Sequence, residues 1–201
     1  MNFNRLAWLL VYFAVLFWSA WRPHDYPTWW LEVSPALLAL LVLVFTRHSF
    51  PLTTLAYVLV LIHSVILMIG GHYTYAEVPV GDWIRDWTAG TRNNYDKLGH
   101  LAQGFIPAIV TREVLLRCGV VSRRGWLGFL VVSVCLAISA VYELIEWWVA
   151  LLSQEAAESF LGTQGYVWDT QSDMFLALIG AVLALLLLSR LHDKQLGALV
   201  P

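Results

Sequence analysis

A chain of 201 residues that is 59% hydrophobic and 13% charged, with a mean hydropathy of +0.67, is far more apolar than a soluble domain, where roughly 45 to 50% apolar and 25% charged residues are usual. A net charge of −2 without a long Lys/Arg run excludes a nucleic-acid partner. A spanning helix takes about 20 residues, so six spans would occupy most of the chain and leave no room for a separate soluble domain. The expectation is one integral membrane domain over residues 1–201, an all-α polytopic bundle in contact with membrane lipid.

Six apolar stretches follow in order: Leu6 to Trp21, Trp29 to Phe45, Leu52 to Gly70, Leu98 to Leu116, Trp126 to Leu152 and Met174 to Leu191. The first, preceded by Arg5 and ending near Ser19-Ala20, has the outline of a signal peptide; it is expected to persist as an uncleaved first helix. Pro23, Pro27 and Pro51 mark the early connections, and Pro107 predicts a kink inside the fourth stretch. Cys118 and Cys135 lie in or beside apolar segments and give no disulfide framework.

Orientation follows from Lys and Arg. With the N-terminus inside, Arg5, Arg47, Arg112, Arg117, Arg123, Arg124, Arg190 and Lys194 fall on the cytoplasmic side, against Arg22, Arg85, Arg92 and Lys97 outside, which favours that hand. Two longer connections then lie outside, from Gly71 to Lys97 and from Ser153 to Ser172. Their Trp, Tyr, Gly and acidic residues read as a cap over the helix ends, and the aromatics also suit the membrane interface.

A charged side chain at a helix centre costs at least about 2.5 to 3.5 kcal/mol on insertion scales, so such residues face a protein or water-filled interior. In the fourth stretch Asp96, His100 and Gln103 share one helical face. Glu143 and Glu146 share another in the fifth, Glu143 lying about nine residues, or roughly 13 Å, before its end. Asp169 and Asp173 align at the start of the sixth if that helix begins by Trp168. Alternating topology puts all three faces at one membrane level, and the third helix delivers His72 there.

Carboxylates and imidazole form the ligand set of a divalent ion, Zn, Mg or Mn. The candidate ligands are Asp96, His100, Glu143, Asp173 and His72; the candidate acid/base groups are Glu143, Glu146 and Asp169. A bound metal would activate water against a lipid or lipid-linked ester or phosphoester. Crowded carboxylates can instead supply an acid and a base without metal, relay protons or bind a transported cation, or pair with Arg85, Arg92 and Lys97 to lock the cap. A transporter or binding protein for a small cation or amphiphile, and a structural subunit, therefore stand beside the enzyme. His63 is read as an interhelical hydrogen-bonding residue, His24, His48 and His192 as solvent-facing, Glu32 as interfacial and outside the site, and Arg112-Glu113 as a local snorkelling pair. No G-x-S-x-G, H-E-x-x-H or Walker sequence names a mechanism.

The motifs NNYDKLGHLAQGF, YELIEWW and GYVWDTQSDMFLALIGA resemble those of the YjdF family of bacterial inner-membrane proteins over nearly the whole chain. That resemblance implies an inner-membrane location and a cytoplasmic N-terminus, and supplies no reaction. A weaker resemblance is to VanZ-like membrane proteins, one branch of which is associated with glycopeptide-antibiotic resistance. Their Asp-Lys-x-x-His is matched by Asp96, Lys97 and His100. Their Glu-x-x-Gln has Glu146 in place of the amide, and their Asp-x-x-x-Asn-x-x-Gly has Ala177 in place of Asn. The resemblance implies a shared polar pocket, with one carboxylate more and two amides fewer.

Overall fold

A computed structural model describes residues 4–152 and 164–199. Seven α-helices are described: α1 (Arg5–Ala20), α2 (Tyr26–Thr46), α3 (Thr54–Tyr73), α4 (Pro79–Trp87), α5 (Tyr95–Arg117), α6 (Leu127–Leu152) and α7 (Asp169–Leu199). Their limits follow from local chemistry. Asn4, Asp25 and Thr53 cap the first three helices by accepting hydrogen bonds from the amides of Ala7, Thr28 and Ala56, as side-chain oxygens at helix starts do. α5 stops at Gly119, whose φ of 65° lets its own amide reach the Leu116 carbonyl and that of Val120 reach Leu115, closing the helix with a glycine in the left-handed region.

Four helices, α2, α3, α6 and α7, are long and apolar enough to cross a bilayer. α1 is apolar but has 16 residues. α5 has 23 residues, about 34 Å of helix, but its ends carry Asp96, Lys97, Arg112, Glu113 and Arg117. Length and apolarity thus support four of the six expected spans outright. α5 tolerates its polar ends because α3, α6 and α7 all pack around it. Large apolar side chains such as Leu6, Phe17, Phe45, Phe175 and Leu186 are exposed, which is how a bundle solvated by hydrocarbon presents itself.

Two apolar cores divide the interior. One joins α1, α2 and α3 through Tyr12, Val33 and Met68; the other joins α3, α5, α6 and α7 through Ala56, Ile109, Val131 and Ala181. The closest packing is between α5 and α7. Contacts between them keep a nearly constant sequence offset, 75 for Lys97 with Ser172 and 79 for Glu113 with His192, so the two helices run in parallel. Small residues permit it. A Cβ on Gly104 would collide with the Ala177 carbonyl, and one on Gly180 with the Leu101 carbonyl, the close approach that small-residue seams give membrane helices.

The connection from Gly71 to Lys97, read from sequence as a capping loop, contains a 3-10 turn (Tyr75–Glu77) and α4. In α4 the exposed Val80, Trp83, Ile84 and Trp87 recur at the spacing of one helical face, opposite the buried Gly81. Alternation of apolar residues with Asp82, Arg85 and Asp86 is what makes this helix amphipathic. Asn93, fully buried, fastens it: its amide group donates to the Val78 carbonyl at 2.9 Å and to Asp82 at 3.0 Å, and its Oδ1 accepts from the Tyr95 amide at 3.0 Å. Gln164 joins Asn93 by a reciprocal pair of hydrogen bonds. Of the second expected loop, residues 153–163 lie outside the described residues.

Candidate functional site

α5 and α7 both begin, and α6 ends, at the same end of the bundle. Helical spacing then does the rest: Asp96 and His100 on α5, Glu143 and Glu146 on α6, and Asp169 and Asp173 on α7 are all buried and face one another. His100 stands at the centre. Its Nε2 is 3.3 Å from Asp96, its Nδ1 is 3.2 Å from Gln103 Oε1 and 3.7 Å from Glu143 Oε1. One donor atom from each of Asp96, His100 and Asp173 lies within 4.8 Å of the others, close enough for all three to reach a single ion after small side-chain rotations.

Two basic side chains face the acids. Arg92 binds Asp169 at 2.7 Å and lies 3.8 Å from Asp96; Lys97 donates to Ser172 Oγ at 2.7 Å and lies 3.8 Å from both Asp169 and Asp173. Both sit over the ring of Tyr166. Arg85, expected to join them, instead pairs with Asp82 and Asp86 on its own helix; its guanidinium is held above its usual pKa first by the hydrogen bonds it donates to Asp86.

The structure adds residues that sequence reasoning left out. Glu32, read as interfacial, is 3% exposed and accepts a 2.8 Å hydrogen bond from the Tyr142 hydroxyl. Together with His63, Tyr75, Asp96, His100 and Glu146 it lines a cavity of about 20 Å³, room for one water molecule or a bare ion. Gly99 explains part of this shape, because a Cβ there would lie 2.8 Å from the Tyr75 ring. Burial, and then the Glu32 charge, pushes the Tyr75 hydroxyl well above its usual pKa, so it stays a neutral phenol. The signal for Tyr142 was present in the YELIEWW motif; for Glu32 there was only an acid among apolar residues.

His72 is not brought into the cluster. Its Nδ1 lies 3.0 Å from the Ser19 carbonyl and its ring packs 4.5 Å from that of Trp18, fixing the end of α3 to the end of α1. The other six site residues converge.

Six carboxylates (Glu32, Asp96, Glu143, Glu146, Asp169 and Asp173) thus share a buried region with Arg92 and Lys97. Such a surplus of negative charge away from water must be neutralised by shared protons or by a cation. Among the described residues, the buried Glu143 Oε1 and Asp173 Oδ1 have no hydrogen-bond partner, and a buried acceptor left so is expensive.

A second polar cluster lies at the opposite ends of α5 and α7. Glu113 is fully buried and accepts from the Thr53 hydroxyl at 2.7 Å, the Thr53 amide at 3.0 Å and Arg117 at 2.7 Å, with His192 Nε2 at 3.1 Å. Arg112 reaches His192 Nδ1 at 2.9 Å and Asp193 at 2.7 Å. Two expectations are corrected. His192 is fully buried rather than solvent-facing, because its charged neighbours Arg190, Asp193 and Lys194 occupy the other faces of α7; and Arg112 and Glu113, adjacent in sequence, meet through the His192 ring between them instead of pairing with each other. Every carboxylate oxygen of Glu113 is engaged, which makes this cluster a tie rather than a site.

The sequence comparisons agree with this architecture. The family model described as "Predicted membrane protein (DUF2238)" matches residues 4–194. The chain is similar to "Inner membrane protein YjdF" of Escherichia coli (strain K12), 50% identical over 182 residues, which cover 90% of this chain and 87% of that protein. These comparisons do not show the VanZ-like resemblance. No solved structure matches. A membrane bundle whose described helices fall almost entirely within the matched region belongs to the DUF2238 family of membrane proteins.

Proposed function

We propose that the chain crosses the bacterial inner membrane six times with its N-terminus in the cytoplasm, and that the cluster at the periplasmic ends of α5, α6 and α7 holds one divalent metal ion and acts on a lipid or lipid-linked envelope substrate. The location is supported by the name of the Escherichia coli relative, and the crossings by the four long apolar helices with α1 and α5. α1 covers about 24 Å, short of a roughly 30 Å hydrocarbon core, a mismatch that local thinning of the bilayer accommodates.

The observation that carries the metal is the mutual reach of Asp96, His100 and Asp173, beside oxygens of Glu143 and Asp173 that receive no hydrogen bond and have only longer ion pairs, at 3.7 and 3.8 Å, to His100 and Lys97. One imidazole with carboxylates suits Zn or Mn, and the carboxylates alone suit Mg. Glu143 serves as a further ligand, and Glu146 and Asp169 as acid/base groups beside the ion. A metal there supplies Lewis acidity and an activated water.

The test is elemental analysis of the purified protein, wild type beside His100→Ala and Glu143→Ala. The expected result is close to one equivalent of a divalent metal in the wild type and much less in both variants. If no metal copurifies and neither substitution alters binding of added metal, the metalloenzyme is discarded. A second reading, that the acids brace the cap, is favoured by the pairing of Arg92 and Lys97 with Asp169 and Asp173; it predicts that Arg92→Ala loosens the fold while metal content stays at zero throughout. Binding or transport of a small cation without chemistry predicts bound metal and no lipid turnover.

A further inference from the structure

The polar cavity has an apolar continuation. A partly open groove of about 270 Å³ is walled by α2 and α6 and floored by α3 and α5, with Ala36, Ala39, Val60, Ile106 and Ile138 among its lining residues. His63, Leu67, Gln103 and Tyr142 belong to the groove and to the polar cavity alike, so the two spaces adjoin. Their order along the bundle is fixed by helical register. On α2, Ala36 lies one turn from Glu32; on α5, Ile106 lies beyond Gln103 and His100; on α6, Ile138 lies one turn below Tyr142. The polar space is therefore nearer the outer ends of the helices and the apolar one nearer their middles.

From this we infer that a membrane amphiphile enters sideways between α2 and α6, its hydrocarbon chain in the groove and its head group in the polar cavity. The proposal deepens the reading of the site as lipid-acting and rests on it for the chemistry, though not for the binding. Three features select a hydrocarbon occupant. The groove is lined almost wholly by apolar groups and lies at the mid-length of four helices, a depth where acyl chains and not water are available to fill it. Ile138 at its rim is 40% exposed, so the groove meets the surrounding hydrocarbon. Finally, head-outward and chain-inward is the orientation a lipid of the outer leaflet already has, so entry needs no inversion.

The Glu32 to Tyr142 hydrogen bond spans the same two helices at the junction of the two spaces. It acts as a latch: the polar cavity holds no more than a water-sized group while that bond is made, and a larger head group must part it. Small side chains at Ala36 and Ala39 and the in-helix Pro35 leave α2 without bulk on this wall.

The test uses the full-length protein in lipid nanodiscs with a long-chain fatty alcohol carrying a photoactivatable diazirine at mid-chain, and maps the labelled residues by mass spectrometry. Labelling of groove residues such as Val60, Ile106 and Ile138 is expected to exceed severalfold that of perimeter residues such as Phe17, Phe45 and Leu186. Ala39→Trp, which fills the groove, is expected to cut the groove labelling by more than half and leave the perimeter unchanged. Even labelling around the perimeter, or labelling concentrated between α6 and α7 at Leu144 and Met174, overturns the proposal; should Ala39→Trp fail to fold, the wild-type map alone decides. Running Asp96→Asn in parallel separates the two ideas. Groove labelling that survives without bound metal sustains lateral entry even where the metal reading fails, whereas bound metal with perimeter labelling removes lateral entry and leaves the metal in place.

Discussion

Single carboxylates in this protein differ in what they demand of their surroundings. Glu113 receives hydrogen bonds from Thr53 and Arg117 and faces His192, so its charge is fully compensated. Removing one member of a buried, hydrogen-bonded ion pair commonly costs about 3 to 5 kcal/mol, because the partner is left behind. Glu113→Ala is therefore expected to lower the thermal midpoint of the detergent-solubilised protein sharply, while Arg85→Ala, on an exposed helix, leaves it unchanged; differential scanning fluorimetry compares the two. An equal, small effect at both positions would show that the tie is not a tie. The acids at the other end of the bundle are the reverse case. Glu143 and Asp173 keep oxygens that no hydrogen bond satisfies, and the acids outnumber the cations beside them, so neutralising one of them, as in Asp173→Asn, is expected to raise the thermal midpoint in metal-free protein, where it relieves repulsion. In protein with metal added, the same substitution is expected to remove the stabilisation that the ion confers on the wild type, read as a midpoint that no longer moves with metal concentration. Helical spacing made Asp96, His100, Asp169 and Asp173 legible, since charge that cannot face lipid fixes the direction of its helix face. Glu32 and His192 were not legible, because a lone ionisable residue near a helix end carries no such constraint: lipid headgroups, water and a buried partner are all within its reach.

At the level of helices, the α5 and α7 pair sets the geometry of the site. Gly104 and Gly180 let the two backbones touch, and only at that separation do Asp96 and His100 come within reach of Asp173. Inserting a branched side chain into such a seam costs about 1 to 3 kcal/mol or more. Gly104→Val is expected to lose thermal stability and, in whatever fraction folds, to bind added metal much more weakly than wild type. Retained metal affinity would mean that the ligand set does not depend on this crossing. The pairing of α5 with α7 was not readable beforehand, since glycine and alanine in an apolar run suit any close neighbour and name none. α4 was missed for a different reason: its nine residues are too few for hydropathy to register, and the alternation of Trp with Asp and Arg resembles a polar loop until the exposed apolar face is seen.

For the whole molecule, composition alone carried most of the architecture, and all six apolar stretches became helices. What composition could not fix is the hand of insertion. The native cysteines report on it directly. Cys118 is exposed in the connection between α5 and α6, and Cys135 is buried. With the N-terminus in the cytoplasm, a membrane-impermeant maleimide is expected to leave intact cells unlabelled and to modify one cysteine, Cys118, after lysis. Labelling of Cys118 in intact cells would invert the topology and move the acidic cluster to the cytoplasmic face.

The tie at Glu113 also bears on how the chain is made. Its partners are Thr53, at the start of α3, and His192, near the end of the last helix, so a residue inserted midway through synthesis waits for one of the final segments to leave the ribosome. Until then the carboxylate has only Thr53 and Arg117 as partners, and a half-built copy with loosely held helices is expected to be a substrate for proteases. A copy truncated ahead of His192 carries every residue of the acidic cluster around His100, and is nonetheless expected to be cleared rather than accumulate.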